Sequence, residues 1–173
     1  MEKWYMLTVV GADRPGIVAR LARELFALGA NLGEASMLRL GGNFTIMLMV
    51  HTDLDARALE ARLAPASADL NLRLHVDPIE GRLHQHVQPE VRIRVHEADR
   101  AGIVAEVSEA LADIGFNILA LDTDVAGADD APWYVIQIEG VAPSGLEAVA
   151  AALEPLRGRG VELGVEAIDT MVG

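Results

Sequence analysis

The 173-residue chain contains no cysteine. That excludes a disulfide framework, thiolate chemistry and any zinc site built on cysteine. Long apolar runs are also missing, and none approaches the roughly 18 residues a membrane-spanning helix needs. The apolar stretch after Met1-Glu2-Lys3 ends at Gly11, too short for the core and cleavage site of a secretory leader. The expectation is therefore a soluble cytoplasmic protein. Positive charge is scarce: 14 Lys/Arg stand against 26 Asp/Glu, for a net charge of −12. The deficit is uneven, with 9 basic and 10 acidic residues in 1–86 but 5 and 16 in 87–173. Phosphate binding depends on Lys and Arg, so direct nucleic-acid contact is not expected. A role in gene regulation would run through another protein. The signatures of catalysis are absent too, with no nucleophile elbow, phosphate-binding glycine loop or metal cluster. His51, His75, His84, His86 and His96 fall on predicted strands, strand ends or a linker, without an obvious nucleophile nearby. His84-Gln85-His86 is an i, i+2 pair without carboxylate or cysteine partners, and reads as solvated linker, not metal site. No enzymatic activity, cofactor or metal is expected.

What is present is a repeat. Gly11-Ala12-Asp13-Arg14-Pro15-Gly16-Ile17-Val18-Ala19 follows an apolar run, Trp4 to Val10, that predicts a strand. It opens a run with Ile17, Leu21, Leu25 and Leu28 at helical spacing. Pro15 suits a first helical turn, and Gly16 permits close approach to the backbone. A loop entering a helix N-terminus exposes N–H groups that favour an anion such as a carboxylate. Ala98-Asp99-Arg100-Ala101-Gly102-Ile103-Val104-Ala105 repeats the stretch 86 positions on, and Leu25/Leu111, Gly29/Gly115 and Asn31/Asn117 keep the register. This spacing is too long for a solenoid and implies two copies of one domain.

Each copy predicts the order β-α-β-β-α-β, the split βαβ pattern of ferredoxin-like folds. In the first copy a helix from about Pro15 stops at Gly29, and Asn31–Leu40 forms a strand. Gly41-Gly42-Asn43 then signals a hairpin into Phe44–Val50. Asp53 or Asp55 caps a second helix that ends before Pro65, and Leu70 to Val76 alternates as the last strand. In the second copy Val91 to Val95 alternates, and Ile103, Val107, Leu111 and Ile114 line a helix. A longer loop, Ala126 to Pro132, separates the hairpin strands Ile118–Val125 and Trp133–Glu139. Ser144 and Glu147 suggest a capping box. The fold class is α+β: two ferredoxin-like domains, 1–77 and 90–173, joined by a linker at 78–89. Each has helices over one face of an antiparallel sheet.

The uncovered faces differ. With Tyr5, Leu7 and Val9 as core, the first copy's open face shows Trp4, Met6, Thr8, Thr45, Met47 and Met49. The second shows Arg92, Arg94, Gln137 and Glu139. A solvated sheet face is usually polar, whereas methionine-rich apolar surface suits adaptable binding. Trp4, Met6, Met47 and Met49 are therefore candidates for partner docking or self-association, beside the alternative of packing within the chain.

A paired β-α-β-β-α-β unit with an Asp-Arg-Pro-Gly-Ile-Val loop resembles the ACT domain, the small-molecule regulatory module of amino-acid metabolism. Gly11 to Val18, with Asn43-Phe44-Thr45-Ile46-Met47-Leu48-Met49 after the hairpin, is similar to the glycine cleavage system transcriptional repressors. In that family two ACT domains stand without a catalytic or DNA-binding domain. The first half of the motif also heads the regulatory segment of formyltetrahydrofolate deformylases, whose catalytic domain is not in this sequence. The resemblance implies an amino-acid-responsive, non-enzymatic regulator. It would repress the glycine cleavage system through contact with an activator protein, with glycine as effector. A stand-alone subunit tuning a metabolic enzyme in trans is the alternative. ACT domains hold an amino acid near the first loop of one domain and the second strand of another. Carried over, that marks Asp13, Arg14, Gly16 and Asn31, and in the second copy Asp99, Arg100, Gly102 and Asn117.

Overall fold

The computed structural model describes residues 3–80, 87–98, 102–128 and 131–168. The chain divides into two compact units, Met1–Gln85 and His86–Gly173. Unit 1 runs β1 (Lys3–Ala12), α1 (Ile17–Ala27), β2 (Asn31–Leu40), β3 (Asn43–Thr52), α2 (Ala56–Asp69) and β4 (Leu72–Ile79). Unit 2 repeats the order as β5 (Val91–Ala98), α3 (Ile103–Asp113), β6 (Asn117–Ala128), β7 (Ala131–Val141), α4 (Leu146–Arg157) and β8 (Glu162–Ala167). The sheets are antiparallel, ordered β2-β3-β1-β4 and β6-β7-β5-β8. Each unit is a ferredoxin-like βαββαβ fold.

The period-2 alternation of β1 puts Tyr5, Leu7 and Val9 on the helix side, where Ile17, Leu21 and Leu25 of α1 and Leu59 and Leu63 of α2 close over them. Unit 2 does the same with Val91, Ile93 and Val95 under Val107, Leu111, Val149 and Leu153. Each such buried side chain contributes roughly 1.5–3 kcal/mol over its exposed state. Truncating one, as in Leu63→Ala, would cost about 2–5 kcal/mol.

Several expected boundaries are corrected. Helix α1 begins at Ile17, not Pro15, because Gly16 occupies the N-cap in the left-handed region at φ 91°. Helix α2 does not stop before Pro65 but runs through it to Asp69, and Pro155 lies at the matching place inside α4. Proline removes one bond, to the carbonyl four residues back. In both helices that pair, Pro65 with Ala61 and Pro155 with Ala151, is exposed, so water can take the orphaned carbonyl. The buried Leu63 and Ala66 anchor α2 on either side of the break. Of the two cap candidates, Asp55 is the cap, accepting from the Ala58 amide at 2.8 Å.

Strand β4 starts at Leu72, after Leu70 caps α2 and Asn71 turns at φ 52°, and it continues through Pro78 to Ile79. Ser144 does not cap α4: its hydroxyl donates to the Ile114 carbonyl at 3.1 Å, and Gly145 takes the cap position. The expected loop from Ala126 to Pro132 is mostly ladder, with Ala126↔Trp133, Gly127↔Pro132 and Ala128↔Ala131 paired. Asp129 and Asp130 lie outside the described residues. Pro132 lies near the start of β7, beyond Trp133, the last β7 residue paired with β5 among the described residues, and strand ends are where proline is tolerated.

Candidate functional site

The β1–α1 loop of unit 1 is held from three directions. The Asp13 amide donates to the Gly42 carbonyl at 3.0 Å, fastening the loop to the hairpin turn. The Arg14 guanidinium donates to the Asp69 carbonyl at 2.9 Å, the last residue of α2. The Asp13 carboxylate pairs with Arg39 Nε of β2 at 2.6 Å. Gly11, just before, is closely packed: a Cβ there would lie 2.5 Å from Leu72 Cδ2, which would have to shift, and 3.1 Å from the Asn71 carbonyl.

This loop delivers the start of α1 to an open cleft. The N-cap Gly16 supplies no side-chain hydrogen bond, and the first turn contains no acidic residue. The amides of the first turn therefore keep their donor capacity and the positive end of the helix dipole. Asp13, Arg14, Gly16, Ile17, Val18, Ala19, Met37, Arg39 and Phe44 line a cleft of about 570 Å³. It offers amide donors, one carboxylate, two exposed arginines and apolar walls. That set is suited to a small zwitterion, with the carboxylate on the helix start and the ammonium on Asp13.

The structure brings Asp13, Arg14 and Gly16 together, although the Arg14 head is turned to the end of α2. Asn31 is not with them. It pairs with His51, whereas the loop end of β1 pairs with Asn43. Those positions are eight strand residues apart, about 27 Å, so Asn31 and Asp13 of one unit cannot share a small ligand. Unit 2 repeats the geometry with Gly102 at φ 93°, and Asn117 likewise opens β6 at the far end of its sheet. Asp99 and Arg100 lie outside the described residues, as do His84 and His86. Among the described residues no group of three His, Cys, Asp or Glu could hold a metal, and no helix is long and apolar enough to cross a membrane.

Sequence reasoning missed Arg39, Met37 and Phe44. The ladder was the available signal. The Gly41-Gly42 turn fixes Leu40 opposite Asn43 and Arg39 opposite Phe44, which puts every second residue back from the turn on the helix side. In unit 2 the same ladder places Val125 where unit 1 has Arg39, and Tyr134 where it has Phe44. At the position of Arg20, α3 carries Glu106, which pairs with Arg159.

The open face of unit 1 carries the docking candidates in adjacent rows: Trp4 opposite His51, Met6 opposite Met49, and Thr8 opposite Met47. The Trp4 and His51 rings stack at 4.6 Å. Met47 is 48% exposed and Met49 only 8%. On unit 2 the corresponding face is a polar network. Arg92 Nε bonds Glu139 at 2.7 Å, Gln137 bonds the same carboxylate at 3.1 Å, and Glu166 lies 3.4 Å from Arg92 and 3.0 Å from Arg94. The hydrogen bond to Glu139 raises the Arg92 pKa above its ordinary value, against some desolvation, and Glu166 adds to the rise.

A family model described as ACT domain matches residues 5–77. The chain is 25% identical to the glycine cleavage system transcriptional repressor of Escherichia coli (strain K12) over 154 residues, 88% of this chain and 81% of that protein. It is 40% identical over 72 residues to the UPF0237 protein YjhC of Lactococcus lactis subsp. lactis (strain IL1403), covering 41% of this chain and 83% of the relative. Among solved structures, an unknown protein from Galdieria sulphuraria superposes with a TM-score of 0.75 at 24% identity, over 97% of this chain and 99% of the other.

Proposed function

This chain belongs to the ACT-domain family, and from that premise we propose that it is a non-enzymatic amino-acid sensor acting in the cytoplasm through protein–protein contact. The similarity to a glycine cleavage system transcriptional repressor along most of the chain favours repression of that system as the output and glycine as the effector. The observation that carries the reading is the uncapped first turn of α1 facing Asp13 and Arg39 across an open cleft. A bound amino acid would place its carboxylate on the Val18 and Ala19 amides. It would draw the Asp13 carboxylate toward its ammonium group and away from Arg39, which is exposed enough to move.

The methionine-bearing open face is the proposed contact for a transcriptional activator. The effector then acts at the loop and the partner at the sheet, both on β1 and β3. Calorimetric titration with glycine, serine, alanine and the branched-chain amino acids tests the sensor. Saturable glycine binding that Asp13→Ala abolishes is the expected result, and no binding by any of these amino acids sinks it. Copurification tests the output. A transcriptional activator retained by the wild type and lost by Met47→Glu is expected. A metabolic enzyme in its place would make the chain a regulatory subunit.

A further inference from the structure

We propose that the hairpin end of unit 1's open sheet face receives an apolar segment of a partner protein that carries a carboxylate, with Arg73 as its counter-charge. The inference rests on the reading of this face as the partner contact, and names the chemistry of what docks there. One row across the sheet holds Arg73 of β4, Val10 of β1, Thr45 of β3 and Leu38 of β2. With Leu40, Asn43 and Phe44 these residues line a groove of about 530 Å³. Three of its apolar members are open, with Val10 40%, Leu38 55% and Leu40 73% exposed, while Phe44 is buried.

Arg73 makes no ion pair or side-chain hydrogen bond among the described residues. The neighbouring basic side chain on the same strand, His75, has its own partner in Asp77 at 3.1 Å. An unpaired arginine beside an exposed apolar row is complementary to an apolar segment bearing one acid, and repels a basic one. Unit 2 serves as an internal control, because it has the same fold and ladder. Its matching row reads Glu162, His96, Val135 and Asp124, so the arginine position carries an acid and the leucine position carries another. Its two face arginines, Arg92 and Arg94, are both paired. Fold alone therefore does not demand the combination of Arg73 and Leu38.

The row spans three strand spacings, about 14 Å from β4 to β2. A docking segment lying along it needs its carboxylate and its far apolar anchor about ten helical residues apart.

The test uses the full chain and two fluorescein-labelled helical peptides of about 16 residues, with identical leucines and either glutamate or lysine ten residues from the leucine anchor. Fluorescence anisotropy should show the glutamate peptide binding the wild type roughly fivefold tighter than the lysine peptide, the scale of one exposed ion pair. Arg73→Glu should reverse the order, and Leu38→Ser should weaken both peptides. Equal binding to the wild type, an unchanged order in Arg73→Glu, or no binding of either peptide overturns the proposal. Should Arg73→Glu lower the melting temperature, Arg73→Gln replaces it and should make the two peptides equal. Glycine titration of the same proteins keeps the two readings apart. Absent glycine binding with the peptide order intact sinks the sensor alone, and the converse sinks the docking site alone.

Discussion

Gly140 of β7 and Phe116 ahead of β6 form a size-exchanged pair that makes a quantitative prediction. In the ladder Gly140 lies opposite Val91 and Ile118, the place that Val50 takes in unit 1 opposite Tyr5 and Leu32. Phe116 corresponds to Ala30, and both are buried. Unit 1 thus has a large strand residue over a small one, and unit 2 has the reverse. A Cβ on Gly140 would lie 2.1 Å from the Asn117 backbone carbonyl and 2.5 Å from the Phe116 ring. The carbonyl cannot rotate aside without disturbing the start of β6, so Gly140→Ala should cost at the upper end of the overpacking range, about 3 kcal/mol. For a unit of this size that lowers its melting temperature by about 12–24 °C. Phe116→Ala alone should cost about 3–5 kcal/mol through the cavity it leaves. Together, Gly140→Ala and Phe116→Ala approach the arrangement of unit 1, because removing the ring relieves its contact with the new Cβ. The double variant should therefore be more stable than the sum of the singles by at least about 1 kcal/mol. Differential scanning calorimetry of the full chain, following the transition of unit 2, measures all four corners of the cycle. A melting shift under about 3 °C for Gly140→Ala, or strict additivity in the cycle, would refute the argument.

Other substitutions test other parts of the fold. Gly16→Ala and Gly102→Ala have open space for the methyl group but a φ near 90°, so each should cost about 1–2 kcal/mol from backbone strain alone, read by thermal melting. Only Gly16→Ala should also weaken glycine binding in calorimetry. Asp55→Ala removes the α2 cap and should cost about 1 kcal/mol in urea denaturation, with m unchanged. Arg92→Gln should lower the melting of unit 2, by less at high salt, because the network with Glu139 and Glu166 is partly exposed. The Arg92 pKa is raised above the ordinary arginine value. The stabilisation is thus lost only in strong alkali, and the difference between Arg92→Gln and wild type should be flat across the neutral pH range.

Element order and core were legible because they rest on periodicity. The alternation through Tyr5, Leu7 and Val9 and the helical spacing of Ile17, Leu21 and Leu25 are each imposed by burial on one side. Places where burial and local propensity disagree were not legible. Pro65 reads as a stop because a proline breaks one bond, but Leu63 and Ala66 bury on either side of it and the helix continues. Ala126 to Pro132 reads as loop because Ala, Gly and Pro are weak strand formers, yet the ladder of β6 and β7 continues to the pair Ala128↔Ala131. Ser144 has the spacing of a capping box, but its hydroxyl is spent on the end of α3. At the candidate site, Asp13 and Gly16 were visible as motif residues. Arg39 was not, because its place depends on the register set by the turn at Gly41-Gly42.

The two loops share a backbone, but their side chains make them unequal as anion sites. Gly16 and Gly102 have nearly the same φ and ψ, and neither helix start has a side-chain cap. A ligand carboxylate gains from the helix dipole at both, by about 0.3–1 kcal/mol at the surface. In α1 that positive end is reinforced by Arg39 across the cleft and opposed by no acid in the first turn. In α3 Glu106 already lies in the first turn, and Val125 stands where Arg39 would be. A carboxylate already serves the α3 dipole, so a second anion there meets repulsion as well as a missing counter-charge. If loop charge decides the binding, glycine should bind with a stoichiometry near one per chain, and Glu106→Gln with Val125→Arg should raise it toward two. Two equal sites in the wild type, or a stoichiometry that this pair of changes leaves at one, would mean that something other than the charge around the helix start selects the ligand.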